Sequence, residues 1–290
     1  MKDKSKHKLP AHVVGFKVHL ERLGYSKTSV SALPNAVKSF FEFSNKTLGN
    51  IISADIVCFY NHLQERPNKR TGGGLSESYI HHHIYALKVF LAWQMEIGSI
   101  SENPMNVLDF PSPQSKPREI LTIAEIQLLY QCCESDKETA VLGMFYGCGL
   151  RRTEGEKLNL KDIHFRQGLL YVREGKGDKR RVVPLNEKVS QDLKNYAFNQ
   201  RNPKKEEQAF VTNNTGRRTS GPSFNKILRI ILERTGITKE ITLHCLRHSI
   251  ATHLLESGLS VEYVRDFLGH KHLESTQIYT RVNQKQLYKL

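Results

Sequence analysis

His244 and Arg247 stand three residues apart in the run Leu243-His244-Cys245-Leu246-Arg247-His248, and Leu268-Gly269-His270 and then Tyr279 follow. On a helical period, Leu246, Ile250 and Leu254 fall on one side while His244, Arg247 and His248 gather on another. Histidine moves protons near neutral pH, arginine offers a planar donor fork to phosphate oxygens, and tyrosine carries a nucleophilic oxygen. Together these groups suit attack on a phosphodiester. A basic helix face with satisfied histidines would account for any one of them, but not for the combination.

These residues need elements to hold them. After the helix that opens near Leu243, residues 260–268 read as a second helix, with Ser260 as N-cap and Val261, Val264, Phe267 and Leu268 as its apolar stripe. Gly269 suits the C-terminal cap, so His270 falls where the chain turns away. Upstream, Gly149-Leu150-Arg151 precedes Glu154, and Gly175-Lys176-Gly177 forms a turn between residues 169–173 and 181–184, both strand-like.

The set resembles the signature of the tyrosine recombinases, or phage integrase family. That signature is a Gly-Leu-Arg with an acidic residue three positions on, a Lys in a Gly-Lys-Gly hairpin, His-x-x-Arg, Leu-Gly-His, and a Tyr nine residues after that His. All occur here in the family's order over residues 151–279. Metal-free cleavage needs a nucleophile, neutralisation of a pentacoordinate phosphate and a proton donor for the leaving 5′-oxygen. Tyr279 supplies the phenolate for a 3′-phosphotyrosyl bond, Arg151 and Arg247 the donor forks, and His244 the base that accepts the tyrosine proton. Lys176 is the candidate acid; an ordinary basic turn is the competing account, since Lys179, Arg180 and Arg181 stand beside it. By resemblance, His270 donates to the phosphate and Glu154 orients Arg151. Tyr263 and Tyr288 are rival nucleophiles. Two positions depart from the family pattern: Arg152 and Gly155 stand where apolar residues are usual.

Composition agrees with such a substrate. The 290 residues carry 43 Lys and Arg against 29 Asp and Glu, a net charge of +14, which predicts a polyanionic partner, nucleic acid first. Five cysteines (Cys58, Cys132, Cys133, Cys148, Cys245) lack the paired spacing of zinc sites and read as reduced thiols. No apolar run reaches membrane-spanning length and no hydrophobic signal core opens the chain, so the expected place is the cytoplasm, bacterial or nucleoid-associated.

Taken in order, residues 1–8 form a basic arm and residues 9–104 a helical domain. Its first helix carries Val13, Phe16 and Leu20; Val37, Phe40 and Phe41 mark the second, which Pro34 starts or bends. A third runs from Ser53 to Pro67. A fourth begins near Ser76 and bears His81-His82-His83, whose side chains point about 100° apart and cannot chelate one metal. With Lys88 they suggest a DNA-facing strip. Residues 105–118, rich in Pro and Ser, read as a linker. Residues 119–290 form the second domain: a capped helix from Thr122, a helix over 136–146, the hairpin, and a helix started by Pro222. Lys179, Arg180, Arg217 and Arg218 are further DNA-contact candidates.

The expected fold class is mainly α with a small antiparallel sheet. By resemblance it is a two-domain C-shaped clamp, a core-binding domain plus a catalytic domain, acting as a dimer of dimers, a tetramer, on two duplexes with inverted-repeat sites. No cofactor or metal is implied. The alternatives are a type IB topoisomerase and a DNA-binding regulator that keeps the fold without cutting. The apolar residues of the end segment (Val282, Leu287, Tyr288, Leu290) suggest docking on its own domain or, as the resemblance suggests, a neighbouring protomer.

Overall fold

A computed structural model describes residues 10–68, 72–113, 119–173, 181–205 and 207–269. Lys176, Lys179, Arg180, His270, Tyr279, the basic arm and the end segment lie outside these. The chain divides into two compact units, Met1–Lys116 and Pro117–Leu290. No helix among the described residues is long and apolar enough to cross a membrane.

Among the described residues, the α-helices of the first unit are α1 (Ala11–Arg22), α2 (Lys27–Ser44), α3 (Ser53–Glu65) and α4 (Glu77–Glu96). Val13, Phe16 and Leu20 recur every three or four residues and are buried, as are Ile56, Phe59 and Leu63 on α3. Phenylalanines knit the core: Phe16 meets Phe90 edge-on at 5.3 Å between ring centroids, and Phe40 meets Phe59 likewise at 5.3 Å. α2 begins seven residues before Pro34, because Ser26 caps it by accepting from the Ser29 N–H at 3.1 Å. Pro34 is buried inside the helix, where packing offsets the hydrogen bond it cannot donate. On α4, His83 is buried, its Nδ1 3.0 Å from the Tyr79 carbonyl oxygen. His81 and His82 are half-buried and Lys88 is exposed.

The second unit is mostly helical around one core, with a three-stranded antiparallel sheet in the order β1 (Ile163–His164), β2 (Leu169–Val172), β3 (Arg181–Pro184). In the register, Val172 faces Arg181 and Leu170 faces Val183. α5 (Ile123–Gln131) starts at a capping box: Thr122 Oγ1 accepts from the Glu125 N–H at 3.2 Å, and the Glu125 carboxylate accepts from the Thr122 N–H at 2.7 Å. α6 (Asp136–Leu142) does not run on as regular helix to residue 146. It widens into a π turn over Gly143–Gly147, in which Cys148 N–H reaches back to the Gly143 carbonyl at 2.8 Å. α7 (Arg152–Lys157) follows, then the sheet, α8 (Glu187–Asn195), α9 (Gly221–Thr235), α10 (Leu243–Glu256) and α11 (Val261–Leu268). Val189 and Leu193 of α8 and Phe224, Leu228 and Ile231 of α9 are buried in this core.

The start of this unit is fastened to α10. Leu121 N–H donates to Ser249 Oγ at 2.9 Å, and His253 also bonds the Leu121 backbone while its Nδ1 lies 3.0 Å from Tyr146 Oη. Burial lowers the His253 pKa, which keeps the ring neutral and able to accept on one side and donate on the other.

Candidate active site

Two turns and one helix bring the motif residues together. Past the π turn the chain bends at Gly149, whose φ of +57° favours glycine, and a Cβ there would stand 2.8 Å from Leu268 Cδ2. Arg151 is then the N-cap of α7: Glu154 N–H donates to the Arg151 carbonyl at 2.9 Å, and Arg151 N–H donates to Glu154 Oε2 at 2.8 Å. The Arg151 guanidinium completes the clasp, Nη1 donating to Glu154 Oε1 at 2.7 Å and Nη2 to the Gly269 carbonyl at 2.9 Å.

Arg247 lies on the buried side of α10, and its two amino groups bridge the same turns. Nη2 donates to the Leu268 carbonyl at 2.6 Å and Nη1 to the Gly149 carbonyl; Nη1 also stands 4.0 Å from Glu154 Oε2. The structure thus gathers Arg151, Glu154 and Arg247. One turn back on α10, His244 is solvent-exposed, as is His248.

A fourth member is one that sequence reasoning missed. Arg181, in the sequence only one of several basic neighbours of Lys176, donates through Nη1 and Nη2 to the two oxygens of Glu154 at 2.8 and 2.9 Å. The signal was present in strand alternation: Arg181 shares a face with buried Val183, and a charge on an inward face requires a partner.

The electrostatics follow from one carboxylate among three guanidiniums, which leaves a surplus of two positive charges. Burial alone would raise the Glu154 pKa, but hydrogen bonds and charge from Arg181 and then Arg151 outweigh it and hold it at about 2. Burial, with repulsion from Arg151 and Arg181, lowers Arg247 to about 9. Such a cationic, partly desolvated cluster is prepared for an anion.

The departures at residues 152 and 155 have local explanations. Gly155 packs so tightly on the π turn that a Cβ would come within 2.6 Å of Phe145 Cζ and 3.2 Å of Met144 Cε. The ring of Phe145 occupies the space an apolar side chain would take. Arg152 is exposed and its stem lies along the first turn of α9, 3.1 Å from where a Gly221 Cβ would stand.

Among the other DNA-contact candidates, Arg217 is exposed, whereas Arg218 donates to the carbonyls of Glu156 and Leu158 and, at 2.6 Å, to Asn159 Oδ1.

Comparison with known proteins fits this geometry. The model of the phage integrase family matches residues 119–286. The tyrosine recombinase XerD of Listeria innocua is 33% identical over 223 residues, covering 74% of this chain and 75% of that protein. XerD of Oceanobacillus iheyensis is 30% identical over 283 residues, covering 93% and 92%. Among solved structures, a lambda integrase tetramer bound to a Holliday junction shares the fold, with a TM-score of 0.70 at 16% identity over 92% of this chain and 80% of that one. With most of its length matched by these relatives and the motif arginines clustered about Glu154, the chain belongs to the phage integrase family and is a tyrosine site-specific DNA recombinase.

Proposed function

We propose that Tyr279 attacks the scissile phosphate while Arg151 and Arg247 hold its non-bridging oxygens, with Glu154 keeping Arg151 in place. The observation that carries this reading is the tie between the two guanidiniums through Glu154 and the carbonyls of Gly149, Leu268 and Gly269. Forks fixed before the substrate arrives need no reorganisation as charge builds on the pentacoordinate phosphate. An arriving phosphate also offsets the repulsion from Arg151 and Arg181 that adds to burial in lowering Arg247. His244 accepts the tyrosine proton and returns it in the reverse step, Lys176 protonates the leaving 5′-oxygen, and His270 donates to the phosphate. The phosphotyrosyl link conserves the energy of the broken bond, so rejoining needs no cofactor.

The helical region 9–104 grips one side of the duplex, with His81, His82 and Lys88 facing DNA, and residues 105–118 link it to the catalytic region 119–290. Lys179, Arg180, Arg217 and Arg218 add contacts to the backbone. The substrate is duplex DNA with inverted-repeat sites, acted on in the cytoplasm of a bacterium. The active form is a tetramer on two duplexes; the lambda integrase tetramer on a Holliday junction, which has the same fold, supports that assembly.

The test is a nicked duplex carrying the site, which traps the covalent intermediate. The unaltered chain should yield protein–DNA adduct, and Tyr279→Phe should bind the site but give none. Adduct from the variant would move the nucleophile to Tyr263 or Tyr288.

A further inference from the structure

Arg181 opens β3, yet its side chain is only 8% exposed. All three kinds of nitrogen on its guanidinium are engaged inside the protein. Nη1 and Nη2 meet the Glu154 carboxylate as a parallel pair at 2.8 and 2.9 Å, and Nε donates to the Phe267 carbonyl at 3.1 Å. The stem lies against the turn at Gly269, where a Cβ would stand 2.7 Å from Arg181 Cδ and where φ is +66°. One residue thereby joins the first turn of α7, the last turn of α11 and the start of β3.

Arg151 by itself holds only one Glu154 oxygen through its side chain, at 2.7 Å. The Arg151 N–H holds the other oxygen at 2.8 Å, so without Arg181 both anchors of the carboxylate would lie on Arg151 itself, the residue it has to hold. The paired bonds from Arg181 fix the plane of the carboxylate, because a bidentate fork defines orientation as well as distance. The bond from Nε to Phe267 also braces the turn whose Leu268 and Gly269 carbonyls receive Arg247 and Arg151. Both arginine forks are therefore oriented by contacts that pass through Arg181. Its own paired donors face Glu154, so it acts through its neighbours.

We propose that Arg181 is a positioning residue for strand cleavage, setting the geometry of Arg151 and Arg247 through Glu154 and the turn at 267–269. The inference rests on the reading of those two arginines as the groups that grip the scissile phosphate. Lysine would keep the charge at this position but cannot reproduce two parallel bonds and the third to Phe267.

The experiment measures cleavage by Arg181→Lys on two DNA substrates: the ordinary phosphodiester, and a methylphosphonate at the scissile position, prepared as both diastereomers. The methyl group replaces one charged oxygen, so the reaction depends less on aligned cations. On the phosphodiester, Arg181→Lys should be slower by about 10²-fold, the loss expected from ångström-scale misplacement of a reacting group. On the methylphosphonate the defect should shrink to within about tenfold, and site binding should change little; the thermal midpoint should fall somewhat, because lysine leaves hydrogen bonds of a buried site unmade. A second variant, Arg181→Gln with Glu154→Gln, removes both charges together and avoids an unpaired buried carboxylate; it should show the same relief. Equal defects on the two substrates in the folded variants would overturn the inference and leave Arg181 a structural clasp. Arg247→Ala serves as the reference. Relief there without relief in the Arg181 variants rejects the positioning role alone, whereas no relief in Arg247→Ala rejects the phosphate-gripping reading and the inference with it.

Discussion

A single carboxylate organises the residues around the proposed phosphate site. Glu154 is buried and receives four hydrogen bonds, one from the Arg151 backbone, one from its side chain and two from Arg181. Its pKa near 2 lies below the ordinary 4.5, and this makes stability depend on acid in a defined window. Above pH 4.5 the carboxylate is ionised whether folded or unfolded, and its full contribution is present. As pH falls from 4.5 through 2, the unfolded chain takes up the proton first, so stability declines. A tenfold difference in proton affinity between the folded and unfolded carboxylate is worth about 1.4 kcal/mol. Glu154→Gln should therefore be less stable at neutral pH and should lose the part of the acid-limb slope that lies between pH 4.5 and 2. Urea denaturation at stepped pH values would read this, and an unchanged slope would show that the clasp does not control the ionisation of Glu154.

At the scale of elements, the π turn over Gly143–Gly147 and the short helix α7 are fitted together by the missing side chain at Gly155. Alanine would favour the helix by up to about 1 kcal/mol through its intrinsic propensity. It would also push a methyl group into Phe145, and overpacking of this kind costs about 1–3 kcal/mol. Packing should win, because Phe145 is fully buried and close-packed interiors yield little to an added methyl group. Gly155→Ala is expected to destabilise the chain by about 1–2 kcal/mol and to slow cleavage, since α7 carries Arg151 at its cap. Adding Phe145→Leu should restore part of the loss in both the denaturation midpoint and the cleavage rate. A Gly155→Ala variant more stable than the parent would mean the helix shifts freely and the fit at Phe145 is loose.

At the scale of the whole molecule, a net charge of +14 makes the encounter with DNA largely a matter of counterion release. If 6–10 phosphates are neutralised, affinity for the site should fall by about 10³–10⁵ between about 50 and 200 mM salt. Filter binding across that range would give the slope. Substituting Lys88 or Arg217, both exposed, should flatten the slope by about one each if they touch phosphates. Arg218 differs, because its guanidinium is held by Glu156, Leu158 and Asn159, and replacing it should lower stability as well. A slope that none of these substitutions alters would place the DNA track elsewhere on the surface.

The sequence by itself determined the order of the motifs, the basic charge, and the helices whose signals are local. Ser76 and Ser260 each accept the N–H three residues on, Gly269 closes α11 in the left-handed conformation, and Val13, Phe16 and Leu20 mark a buried face. These signals act within one or two helical turns, so they can be read without knowing where the chain goes next. The π turn, the two-residue strand β1 and the helix α8 were not legible in the same way. The first two are too short to carry a period; α8 does carry local signals, Asn186 accepting the Val189 N–H and Val189 and Leu193 sharing a buried face, but only two apolar residues mark that face. The motifs already named Arg151, Glu154 and Arg247, and only the tertiary structure joined Arg181 to them. Glu154 meets Arg181 across 27 residues of sequence, Arg151 meets Gly269 across 118, and Arg247 meets Gly149 across 98. Strand alternation marks Arg181 as inward-facing but does not name its partner, and burial of one carboxylate between α7, α10 and β3 does so because a charge removed from water must take its partners with it.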